Sequence, residues 1–95
     1  MSALKKITID PKEEIGLYAI ETIEKALQTI SARSFLAVWE VAALMRGIAY
    51  NQAIEIVPSA SVATAIQLIL NMMTTLRDKT LLTVKEICDL IGVVC

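Results

Sequence analysis

Apolar residues recur at helical spacing through most of the chain, and no segment alternates apolar and polar positions for long enough to require a strand. The first helical stretch opens at Asp10-Pro11-Lys12-Glu13-Glu14. Asp10 can cap free amides, Pro11 suits the first helical position, and the two glutamates favour the positive end of the helix dipole. The pattern predicts a helix from Pro11 to about Ile30. Ile15, Tyr18, Ile23, Ala26, Leu27 and Ile30 lie on one stripe, and Glu14, Glu21, Lys25 and Gln28 on the other side. Glu21 and Lys25 have the spacing of an i,i+4 ion pair. Ser31-Ala32-Arg33-Ser34 interrupts the pattern, and a second helix is expected from Ala32 or Phe35 to Ile56. Its charges are Glu40, Arg46 and Glu55. A helix apolar nearly all round reads as a buried, central one.

Pro58 ends that stretch, because the residue before proline avoids the helical region. Ser59 or Ser61 can cap a third helix running to about Arg77. No charged residue falls between Ile56 and Leu76; Thr64, Gln67, Asn71 and Thr75 form a narrow uncharged polar stripe. Arg77-Asp78-Lys79 reads as a charged link. Thr83 and Glu86 then match a capping box for a short fourth helix, from Val84 to about Ile91, with Gly92 as its stop. Residues 1–9 read as an N-terminal arm and 10–95 as one domain. No internal repeat is apparent. The expected fold is all-α, a small bundle of four helices with the second central and the fourth short.

Composition sharpens the picture. Of the 95 residues, 56% are hydrophobic and 20% charged, against roughly 45–50% and 25% in typical domains. A chain this small buries only about 60–65% of its unfolded surface. The surplus apolar surface points to a partner. The expected function is that of a non-catalytic accessory or structural subunit. It would bind a larger protein or copies of itself through helices 2 and 3. Gln67, Asn71, Met72 and Met73 are the interface residues expected on helix 3, since interfaces are poor in charge and rich in methionine. Ala43 and Gly47 form a small-xxx-small step that lets another backbone come close. Phe35, Trp39 and Tyr50 have the spacing of core aromatics, but tryptophan is also enriched in binding hot spots, which makes Trp39 a further interface candidate.

The chain contains no histidine, its carboxylates are scattered, and its three glycines stand alone. Neither a catalytic site, a cofactor nor a metal site is expected. The two cysteines, Cys88 and Cys95, in a chain showing no secretory signal point to reduced thiols and a cytoplasmic location. The charge-free stretch before Arg77 has about the length of a membrane span, but its polar stripe and Pro58 argue against one. The net charge of −1 gives little attraction for phosphate backbones.

One segment does suggest an alternative. Thr83-Val84-Lys85-Glu86-Ile87-Cys88-Asp89-Leu90-Ile91-Gly92-Val93 has the form T-x-x-E-I-x-x-L-x-G-V. With the preceding Thr80-Leu81-Leu82 it resembles the first half of a helix-turn-helix domain, whose following helix reads bases in the major groove. The resemblance covers residues 80–93, the recognition helix is absent, and no base-reading residue carries over. It implies a small nucleic-acid-associated factor, either a degenerate DNA binder or a subunit of a replication or transcription complex. A viral or membrane-associated structural protein is a further reading that the apolar excess permits.

Overall fold

A computed structural model describes residues 11–50 and 59–94. They form four helices: α1 (Pro11–Ser34), α2 (Val38–Tyr50), α3 (Ala60–Thr80) and α4 (Val84–Val94). No strand occurs among the described residues. The all-α bundle with a short C-terminal helix is therefore what the chain forms. The N-terminal arm, the Asp10 cap and the expected extension of helix 2 to Ile56 lie outside the described residues.

Helix ends differ from the expected ones for local reasons. α1 runs through the serine-rich stretch because the Ser34 hydroxyl donates to the Ile30 carbonyl within the helix. The chain leaves the helix only at Phe35, which adopts the left-handed conformation with φ 60°. The Ser31 hydroxyl spans the turn to the Leu36 carbonyl at 2.7 Å. α2 then starts at Val38, and the Glu40 carboxylate accepts the Ala37 amide at 3.0 Å. α3 begins as expected, with Ser59 as its cap. It continues beyond Arg77, so Arg77-Asp78-Lys79 is its last turn and not a link. The Thr80 hydroxyl donates back to the Leu76 carbonyl, and Leu81 leaves the helix at φ 57°. The capping box of α4 is present: the Glu86 amide donates to Thr83 Oγ1 and the Thr83 amide to Glu86 Oε1, each at 3.2 Å. Gly92 does not end α4. It keeps a helical conformation, and the helix continues to Val94, which packs against the core.

The two turns are near copies. Ser34 corresponds to Thr80, Phe35 to Leu81 and Glu40 to Glu86, each pair 46 residues apart. At the same offset, the buried residues Ala19 and Ile23 correspond to Ala65 and Ile69. Val41, Ala42 and Met45 likewise correspond to Ile87, Cys88 and Ile91. Surface clefts match too. One lined by Leu36, Glu40, Ala43, Leu44 and Val62 corresponds, position by position, to one lined by Leu82, Glu86, Asp89, Leu90 and Gly16. The start of α1 lies beside the end of α3, where Glu14 and Ile15 share a cleft with Lys79 and Thr80. The described residues thus form two helical hairpins that repeat the same turn chemistry and much of the same burial pattern. This corrects the expectation of no internal repeat.

The centre of the bundle also differs from expectation. α1 and α3 pack most extensively on each other, and α2 packs mainly on α4. The fully buried side chains include Ile23, Met45, Ile69, Leu76, Ile87 and Ile91. α1, whose polar side suggests an ordinary surface helix, makes the most contact with the rest of the fold. α2 is not central: it buries Val41, Ala42, Met45, Ile48 and Ala49 and leaves its opposite side open. Glu21 and Lys25 form no ion pair; the ion pair among the described residues joins Arg77 and Asp78 at 3.8 Å, exposed at the surface.

The repeat leads to a paired expectation. Ile23→Ala and Ile69→Ala should each lower the unfolding free energy by about 2–5 kcal/mol and by similar amounts, as read from urea denaturation. Thr83→Ala should cost only about 1 kcal/mol, the usual worth of a helix cap.

Candidate protein-docking site

The open side of α2 is the least expected surface of the protein. A helix packing with Met45 at the centre of its buried side presents positions 39, 40, 43, 47 and 50 outward, by the 3.6-residue period. Trp39 is 73% exposed and Tyr50 67%. Phe35, at the turn, is 91% exposed. The three aromatics expected in the core therefore all lie at the surface. Their spacing is helical, but the stripe they mark is the outer one.

Beside Trp39 runs a shallow groove of about 310 Å³, walled by Leu36, Ala43, Leu44 and Gly47 of the second hairpin arm and by Val62 at the start of α3. Glu40 is its one charged wall. Trp39 also borders a second cleft, with Leu27, Val38, Ala42, Arg46 and Val94. Of the seven residues expected at an interface, the structure brings Trp39, Ala43 and Gly47 together in one place.

The other four are dispersed along α3. Gln67 and Asn71 are exposed, and the Gln67 amide donates to Asn71 Oδ1 at 3.2 Å. Thr64 and Thr75 turn their hydroxyls back to the carbonyls of Ala60 and Asn71, both at 3.0 Å. The uncharged stripe is real, but most of its polar groups are satisfied within their own helix. Met72 is only 8% exposed and belongs to the core, which corrects its placement at the surface. Met73 is half-buried and lines a cleft of about 270 Å³ with Ile48, Leu70, Thr74 and Arg77. Phe35 and Leu36 belong to the turn before α2 and not to its first turn, a reversal that no glycine in the sequence signals.

Cys88 sits in the core. Burial pushes its thiol pKa up and Asp89 adds to the rise, so it behaves as a small hydrophobe. Among the described residues no group of metal-binding side chains converges, and no helix is long and apolar enough to cross a membrane. The residues 80–93 that resemble a helix-turn-helix form the second turn and α4, with Lys85, Glu86 and Asp89 exposed. Comparisons with protein families, with curated proteins and with solved structures found no match.

Phe35 has a conformation that glycine adopts without cost, whereas an L side chain there is strained. Phe35→Gly should leave thermal stability unchanged or raise it by up to about 1 kcal/mol, as measured by calorimetry. A clear loss of stability would show that the ring has a packing role in the isolated chain.

Proposed function

We propose that this chain is a non-catalytic accessory or structural subunit that works by docking a protein onto the outer face of α2. One observation carries the reading. The same place in the fold occurs twice, and the two versions differ in chemistry. On α4 the outward positions hold Lys85, Glu86, Asp89 and Val93; at the equivalent positions α2 holds Trp39, Glu40, Ala43 and Gly47. The hairpin therefore tolerates charge there, and the apolar face of α2 is not a by-product of folding. An exposed tryptophan beside an apolar groove is the usual anatomy of a binding hot spot. Phe35, in the turn before α2, is also exposed, in a strained backbone conformation. The absence of histidine from the chain and the buried, poorly ionised Cys88 thiol support a binding role over a catalytic one.

The reading is tested by placing a photo-reactive amino acid at position 35 and, separately, at position 85 on α4, in cells of the source organism. Position 35 should give a defined protein adduct that is lost on adding Trp39→Ala, while position 85 should give little. Equal labelling from both positions, or none from position 35, would overturn it.

A further inference from the structure

We infer that the protein docked on the α2 face is a second copy of this chain, its α2 lying antiparallel to the first about a twofold axis at Ala43. This rests on the reading of that face as a docking site. A twofold interface must be self-complementary, with projection and recess on one surface. The α2 face has both. Trp39 projects from its first half, and Ala43 and Gly47 leave its second half recessed.

In an antiparallel pair centred on Ala43, positions equally distant from 43 on either side come level. Trp39 of one copy then lies at the level of Gly47 of the other, so the largest side chain of the stripe meets the smallest. Glu40 lies level with Arg46 by the same count. Each end of the pair holds one carboxylate and one guanidinium, where a parallel pair would set like charges level with each other. The antiparallel helix dipoles also oppose. Trp39 and Arg46 already border the same cleft within one chain, so the partner's guanidinium reaches the flank of the indole, where cation–π attraction favours it. Among the described residues Arg46 makes no ion pair of its own. Ala43 and Gly47, one turn apart, let two helix backbones approach closely. The equivalent face of α4 could not pair in this way, because its central position is Asp89, and two aspartates would meet on the axis.

Light scattering of the purified chain over a range of concentrations should give twice the chain mass of 10.4 kDa. Trp39 is the sole tryptophan, so its emission should shift to the blue as the dimer forms. Ala43→Arg, which sets two guanidinium groups together on the axis, should weaken dimerisation at least about tenfold, equivalent to about 1.4 kcal/mol, with an unchanged helical circular dichroism spectrum. Orientation is read separately, in a Cys95→Ser background. A mixture of Glu40→Cys and Arg46→Cys chains, which both keep Trp39, should give the mixed disulfide in preference to a disulfide between two Glu40→Cys chains. A monomer at all concentrations overturns the inference, as does a dimer that Ala43→Arg leaves intact or one in which the two Glu40→Cys chains pair preferentially. If the chain is monomeric but photo-labelling at position 35 still captures a different protein, the docking face stands and only the choice of partner is wrong. If both experiments fail, the docking reading fails with it.

Discussion

The antiparallel seam between α1 and α3 is the constraint on which the rest of the molecule hangs. Ala19 and Ile23 on one helix and Ala65 and Ile69 on the other are wholly out of solvent. All four belong to the buried core, at matching positions of the two long helices. Each long helix then reverses through a three-residue turn and lays its shorter partner across the seam. Met45 of one short helix and Ile91 of the other, 46 residues apart, are both fully buried. A hairpin this short could not bury its apolar side alone. Two of them closing on each other can.

That repetition makes the differences between the halves informative. Turn chemistry is kept in both: a hydroxyl bonded back into the helix, a large apolar residue in the left-handed conformation, and a glutamate closing over the next helix start. Most buried positions are kept as well. The outer positions are not. One short helix carries lysine, glutamate and aspartate outward, with Val93 exposed beyond them. The other carries Trp39, Ala43 and Gly47 and borders a groove with few charges. A folding requirement would act on both halves alike. The asymmetry is what supports the binding role proposed for α2.

Much of the secondary structure was legible in the chain. Helical spacing, the Ser59 cap and the Thr83–Glu86 box all placed helices where they occur. Helix ends were harder to read. Ser34 and Thr80 look like breakers, yet each returns its hydroxyl to the preceding turn and so prolongs the helix. Phe35 and Leu81 carry no sign that they take a glycine-like conformation. The repeat was hidden for a related reason: identity survives at scattered positions such as Ala19 and Ala65, Leu36 and Leu82, and Leu44 and Leu90, while the solvent-facing residues between them have diverged.

The sequence by itself determined that the chain is helical, that four helices form, and that it carries more apolar side chain than a small domain readily hides. Local hydrogen bonding and periodicity suffice for that much, since both act within a few residues. Only the tertiary structure decided which apolar residues are the surplus. Met72 and Trp39 each sit on an apolar stripe of their own helix, and nothing local separates them. The pairing of α1 with α3 encloses Met72, while the packing of α2 through Met45 turns Trp39 outward. Burial is a property of the arrangement of helices, and that arrangement is set by contacts between residues far apart in the chain.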